Sequence, residues 1–405
     1  MSKAELLAPA GNLEKLKIAV LYGADAVYVG GQQYGLRQAA DNFELAELKE
    51  ALDFAHSRGV KLYLTLNMIP HNQDLVGLEE YVSTLAELGV DAVIVADPGV
   101  LSVVQEVAPK LEIHLSTQAN NVNWQSVNFW AKQGVERVIL ARELSLGEIK
   151  EINQRVGVDT EAFIHGAMCI SYSGRCLLSN YLVNRDSNRG QCAHSCRWNY
   201  SLVEEQRPGQ YHPVFEDQSG TYIFNSKDLC MIEYIPELMA TGLSSFKIEG
   251  RMKSINYVAT VTNIYRQAID TYLAAPGEYQ FQEEWLTELQ KISHRHYSTG
   301  FYLGEPGPAG QNYDSSAYLR TYDFMGLVQE YLPASQEAVV EVRNKFFVND
   351  VVEFFGPETD TFTQPLEYIK NEEGELIVDA PHPHQLITIP VNQAVQKYDL
   401  LRREK

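Results

Sequence analysis

The chain has 405 residues, 45% apolar and 21% charged, an ordinary globular composition with length for one large core and a second domain. No apolar run reaches the roughly 18–20 residues of a membrane span, and Met1-Ser-Lys-Ala-Glu-Leu-Leu7 lacks the basic-then-apolar order of a secretion signal, so a cytoplasmic protein without membrane association is expected. A formal charge of −20 excludes a surface that grips nucleic acid along its whole length.

From the start, one phrase recurs: a helical-period segment, a glycine, then a β-rich apolar run. It appears at Gly23-Ala-Asp-Ala-Val-Tyr-Val29, Gly59-Val-Lys-Leu-Tyr-Leu-Thr-Leu66 and Gly89-Val-Asp-Ala-Val-Ile-Val95. It returns at Gly134-Val-Glu-Arg-Val-Ile-Leu140, Gly157-Val-Asp-Thr-Glu-Ala-Phe-Ile164 and Gly242-Leu-Ser-Ser-Phe-Lys-Ile248. Glycine is the usual left-handed stop after a helix such as that over Leu45–Ala55. Two further runs, Leu6–Ala8 and Leu111–Ser116, bring the strands to eight. Runs apolar enough to be covered on both faces, joined by right-handed crossovers, predict an α/β fold: a (β/α)8 barrel of the TIM type. A doubly wound open sheet is the alternative. The pair Gly30-Gly31 alone does not make a dinucleotide site, because no Gly-x-Gly-x-x-Gly follows the first strand.

Strands seven and eight are separated by roughly 80 residues where the others start roughly 25–45 apart, so a cysteine-rich insertion, residues 166–230, leaves strand seven near His165. It holds all five cysteines: Cys169, Cys176, Cys192, Cys196 and Cys230. Asn225-Ser-Lys-Asp228 reads as an N-cap for the helix leading into strand eight. Both ends of the insertion are thereby placed on the face that bears the active site in nearly all such barrels. Polar residues at the other strand ends should line the same mouth: Asn12, Asn67, Asp97, Gln118, Asn120, Arg142, Glu143, His165, Glu249 and Arg251. Any one alone reads equally as a loop cap. Residues 165–200 also carry Arg175, Arg185, Arg189 and Arg197 against only Asp186, either a solvated loop face or a site for an anion or a short stretch of RNA.

The barrel domain spans 1–273 and closes with an amphipathic helix over about Ser254–Leu273. Residues 274–322 form a linker packed on the barrel, with the aromatic phrase His294-Arg-His-Tyr-Ser-Thr-Gly-Phe-Tyr302. From 323 to 405 short alternating runs predict a small C-terminal antiparallel β-barrel: Phe324–Tyr331, Ala338–Val342, Asp350–Phe355, Leu376–Val378 and Leu386–Ile389.

The cysteine spacing, Cys-x6-Cys-x15-Cys-x3-Cys-x33-Cys, is neither the paired Cys-x2-Cys of zinc ribbons nor the ferredoxin run. Four thiolates from separate loops still suit an iron–sulfur cluster, a structural zinc is the metal alternative, and neighbouring arginines lower thiol pKa. A cysteine nucleophile, Cys169 activated by His165, is a third reading, and unliganded buried cysteines a fourth. No hydrolase signature such as Gly-x-Ser-x-Gly or His-Glu-x-x-His is present.

Taken together, Leu7-Ala-Pro-Ala-Gly-Asn12, Ala26-Val-Tyr-Val-Gly-Gly31, His165-Gly-Ala-Met-Cys169, Ser173-Gly-Arg-Cys176, Arg189-Gly-Gln-Cys192-Ala-His-Ser-Cys196-Arg197, Ser226-Lys-Asp-Leu-Cys230 and Phe246-Lys-Ile-Glu-Gly-Arg251 resemble the collagenase-like peptidase family U32 almost end to end. That family also holds proteins for tRNA uridine 5-hydroxylation, ribosomal RNA cytidine hydroxylation and oxygen-independent ubiquinone hydroxylation. The resemblance implies a 4Fe–4S cluster on Cys169, Cys176, Cys192 and Cys230, with Cys196 as an alternative ligand. A barrel with one small β domain is similar to the tRNA branch, which implies tRNA as substrate, 5-hydroxyuridine at the wobble position as product, and prephenate as hydroxyl donor. His165, Arg142, Glu143, Glu249 and Arg251 are the expected catalytic residues, and Arg142, Lys247 or Arg251 the cations for a dicarboxylate. A cysteine- or metal-dependent peptidase, and a hydroxylase needing a partner subunit of the same family, are the alternatives.

Overall fold

In the computed structural model, residues 4–35, 41–169, 171–198, 216–217, 220–221, 226–306, 310 and 318–405 are described. Seven consecutive strands pair in parallel: β1 Glu5–Pro9, β2 Ala26–Gly30, β3 Lys61–Leu66, β4 Ala92–Val95, β5 Glu112–Leu115, β6 Arg137–Ile139 and β7 Asp159–Ala167. An eighth strand, Ser245–Ile248, pairs in parallel with both β7 and β1 and closes the barrel. Neighbours in the sheet are neighbours in the chain, so the architecture is (β/α)8 and not doubly wound.

The glycine stops behave as the sequence predicts. Gly23, Gly59, Gly89, Gly134 and Gly242 all take positive φ, whereas Gly157 does not. The helix after the eighth strand, Ile255–Ala274, lays Val258, Val261, Tyr265 and Ile269 against the barrel. Burial of such a stripe is the main force holding a helix on a sheet.

The insertion is built differently from expectation at its far end. Asp228–Cys230 is a short strand antiparallel to β7, with Cys230 opposite His165, and not a helix cap. The Asp228 carboxylate instead accepts the backbone N–H of Arg295 at 3.1 Å. A second short strand, Tyr297–Ser298, adds in parallel to Asp228–Cys230, so the linker is stitched to the insertion as well as packed on the barrel. Trp285, Leu289 and Ile292 of the linker join the barrel core.

The C-terminal segment has its own core around Val328, Val340, Phe354, Ile387 and Leu401. Its eight-stranded antiparallel sheet is curled but not closed: the edge strands Phe362–Pro365 and Leu376–Ile377 do not pair with each other. The predicted barrel is therefore a half-barrel. Leu400–Glu404, absent from the predicted strands, is central and pairs with both Tyr322–Leu332 and Val351–Phe355. Its Arg402 is fully buried between Glu353 of the same sheet and Glu288 of the linker, which fastens the domain to the barrel.

Candidate active site

Inward-pointing residues alternate along a barrel strand, so the lumen is read by period two. Its floor is a closed charge network. Lys247 donates to the Glu161 carboxylate at 2.7 Å, and Arg137 bridges Glu161 and Glu5 at 3.3 and 2.5 Å. Tyr63 and Ser245 hydroxyls complete the shell of Glu5 at 2.6 and 3.0 Å. Burial pushes the Glu161 carboxyl up, but Lys247 and Arg137 outweigh it and hold the group below its ordinary value of 4.5.

Above this floor, at the C-terminal ends of the strands, opens a cavity of about 320 Å³. Cations dominate its wall: Arg142, Lys247, Arg251 and Lys253 border it, with Glu249 as the acid among its lining residues. Arg142 donates to the Ala167 carbonyl at 3.0 Å, lies 3.6 Å from Glu249, and stacks over Phe163 at 3.9 Å. Arg251 donates to Thr65 Oγ1 at 3.1 Å and to Asn42 Oδ1. A Cβ at Gly30 would lie 2.0 Å from Arg251 Nη2, so the Gly30-Gly31 pair serves this guanidinium and the adjacent Tyr81 hydroxyl rather than a nucleotide. Gln118 Nε2 and Arg142 Nε are buried donors without an acceptor among the described residues. An unmet buried donor costs about 1–3 kcal/mol, which an acceptor bound in the cavity would offset.

Cys169, Cys176, Cys192 and Cys196 all border this cavity, and none of the five cysteines forms a disulfide. Their loops are pinned from behind: Ser187 Oγ donates to the Cys176 carbonyl at 2.7 Å, and Arg189 grips Asp74 at 2.6 and 2.8 Å. Arg189 is thereby an anchor of the insertion. Soft thiols gathered at one wall fit an iron–sulfur cluster in chemistry and location. As they stand, no three His, Cys, Asp or Glu side chains among the described residues close on a single metal position.

His165 and Cys230, expected in the site, lie outside this cavity. A register shift opposite Lys247 and Ile248 leaves Ile164 as an extra residue in β7. Such a bulge turns the following side chain to the other face. His165 therefore points outward into a cage of Tyr257, Tyr265 and Tyr297, with ring centroids 5.9, 5.5 and 5.4 Å away. Burial, with Lys253 and His294 adding repulsion, lowers its pKa to about 3. It is not beside Cys169 as a base. Cys230, opposite His165, lies in the same outer layer 3.9 Å from the Tyr265 hydroxyl, and burial raises its thiol to about 12.

The remaining expected residues divide. Asn67 and Gln118 line the cavity, and Asn120 braces the Gln118 carbonyl at 2.8 Å. Asn12 and Asp97 are helix caps, accepting from Lys15 and from Gly99 and Val100. Glu143, its carboxyl raised by burial, borders a second cavity of about 460 Å³ with Glu148 and Lys227. Cys169, Ser171 and Tyr172 line both cavities and form the partition between them. Thr65 and Asn42, which set Arg251, were not singled out in the sequence.

A (β/α)8 barrel with a thiol-bordered, cationic cavity at its catalytic face defines the class: this chain belongs to peptidase family U32. Residues 11–312 match the pattern described as Peptidase family U32, and 320–402 match the Peptidase family U32 C-terminal domain. Among its relatives is tRNA hydroxylation protein P1 of Bacillus subtilis, 47% identical over 403 residues that cover 100% of this chain and 95% of the relative. Another, tRNA hydroxylation protein P of Escherichia coli, is 40% identical over 447 aligned residues covering 100% and 97%. A 23S rRNA 5-hydroxycytidine synthase of Escherichia coli is 35% identical over 322 residues, 78% of this chain and 47% of that protein.

Proposed function

We propose that the protein is an RNA hydroxylase that forms 5-hydroxyuridine at the tRNA wobble position, with prephenate as hydroxyl donor and a 4Fe–4S cluster as cofactor. Relatives named for tRNA and rRNA hydroxylation support the RNA class. The observation that carries the donor reading is the cavity wall, where Arg142, Arg251 and Lys253 face one acid and two buried donors, Gln118 Nε2 and Arg142 Nε, lack acceptors among the described residues. A small dicarboxylate supplies acceptors for them, and charge-assisted contacts to guanidinium are the strong kind. Phe163 and Tyr28 give the apolar body of such a ligand a surface.

Cys169, Cys176 and Cys192 are common to both ligand sets considered for the cluster; the fourth thiolate is Cys230 or Cys196. Cys230 is the ligand implied by resemblance, and its entry into the site requires the Asp228–Cys230 strand to leave its place against β7. When bound, the cluster supplies electron-transfer and iron chemistry that side chains lack. Iron and sulfide content after anaerobic purification tests this: Cys169→Ala loses the cluster, and whichever of Cys196→Ala and Cys230→Ala also loses it names the fourth ligand. Full iron in both would remove the four-thiolate assignment.

The substrate is tested by mass spectrometry of tRNA nucleosides from cells lacking the gene. Wobble 5-hydroxyuridine derivatives should disappear. If they persist unchanged, the tRNA reading is wrong. Gelatin cleavage by metal-free protein, abolished by Cys169→Ala, would establish the peptidase instead.

A further inference from the structure

We infer that the exposed residues of the cysteine insertion form the surface that holds unpaired RNA bases, with Tyr181 and Trp198 for stacking and Arg175 and Arg185 of the same insertion for the phosphates. The inference rests on the RNA reading above and names where that substrate is gripped.

Large side chains of the insertion are exposed: Tyr181, in the short helix Leu178–Val183, is 87% exposed, and Leu177, just before that helix, is 66% exposed. Tyr172 and Trp198 add rings at 44% and 41%. Three exposed rings within the 27 residues from Tyr172 to Trp198 are the observation from which a binding surface is inferred. The cations decide what binds. Arg175 and Arg185 are exposed and have no ion-pair partner among the described residues, whereas Arg189, the third arginine of the stretch, is spent on Asp74. In a chain of formal charge −20, an aromatic surface with two uncommitted guanidinium groups suits a polyanion with flat faces. Double-stranded RNA keeps its bases stacked inside, so the fit is to a single-stranded loop.

Position supports the same occupant. Tyr172 is both exposed and part of the cavity wall, so the insertion that carries these rings also borders the thiol-lined cavity where a displaced base would react. The C-terminal half-barrel, a shape often used for nucleic acid, is the poorer choice. Residues 323–405 carry fifteen acids against seven bases.

The test uses full-length protein and a fluorescein-labelled anticodon stem–loop RNA, read by fluorescence anisotropy at two salt concentrations, with the same stem closed as a duplex for comparison. Tyr181→Ala should weaken stem–loop binding about 10-fold, the loss of one stacked base. Arg185→Ala should weaken it and lower the salt slope by about 1, the loss of one phosphate contact. Phe129→Ala, which removes an exposed ring outside the insertion, on the helix after β5, should bind as the native protein does. Native urea midpoints for Tyr181→Ala and Arg185→Ala certify their folds. If the native protein binds neither RNA, the hydroxylase reading fails. If it binds the stem–loop and both variants bind equally well, this surface is overturned while that reading stands. Release of a copurifying subunit by Tyr181→Ala, with RNA affinity unchanged, would make the face a protein interface and overturn the inference too.

Discussion

The lumen of this barrel holds two polar layers of opposite character. On the floor, two acids and two cations neutralise one another, and hydroxyls of Tyr63 and Ser245 fill out the shell. At the mouth, Arg142, Arg251 and Lys253 outnumber Glu249 among the lining residues. Both layers are inward residues of the same strands, often two positions apart, as with Lys247 and Glu249 or Glu161 and Phe163. Burial alone therefore does not identify a site. What separates scaffold from site is whether the charges are already compensated.

The comparison breaks first at the floor. Glu161→Ala strands Lys247 in the interior and leaves Arg137 to Glu5, and removing one partner of a buried pair costs about 3–5 kcal/mol. Urea denaturation should show that loss, and an unchanged midpoint would mean the floor network does not stabilise the fold. At the mouth the expected effect is on function. Gly30→Ala places a methyl against the Arg251 guanidinium and should lower tRNA hydroxylation about 10-fold, the worth of one charged contact. Its stability should fall by only about 1–3 kcal/mol from overpacking. Equal activity would show that Arg251 does not touch the substrate.

A third expectation concerns pH. His165 is buried neutral with its pKa lowered from 6.5 to about 3, so between those values the unfolded chain binds more protons than the folded one. Stability is then fully present above the unfolded value and falls as pH drops, with a slope of up to about 1.4 kcal/mol per pH unit. His114, also lowered by burial, falls in the same window, whereas the loss from Glu161 enters only below its ordinary 4.5. His165→Gln should flatten the urea midpoint between about pH 7 and pH 5.5; an unaltered dependence would place the titration elsewhere. The smallest effect separates cap from ligand within the mouth. Asn12→Ala should cost about 1 kcal/mol as a lost N-cap and leave hydroxylation intact.

Much of this was legible beforehand because the period of the strands and the glycines after the helices carry their own physical reasons. All eight strands of the barrel, and the long excursion after β7, follow from them. Details that depend on a single register were not legible. The extra residue at Ile164 reverses the aim of His165, and nothing in Phe163-Ile-His165 announces it. Cys230 was read as following a cap because Ser226-Lys-Asp228 has cap chemistry, but pairing with β7 overrides that local preference. Leu400–Glu404 was missed because its two arginines look solvent-facing, and only the carboxylates of Glu288 and Glu353, far away in sequence, make Arg402 an interior residue. The cradle at Gly30 was seen as a glycine pair without its occupant.

The clasp at Arg402 reaches further than the seam it closes. Glu288 belongs to the stretch whose Tyr302 hydroxyl donates to the Phe163 carbonyl and whose Tyr297–Ser298 strand lies beside Asp228–Cys230. The appended domain is thus mechanically geared to the backbone from which the cysteine loops spring. One run of contacts therefore joins the tail to β7 and to the Asp228–Cys230 strand, although the cavity lining among the described residues includes none of residues 323–405.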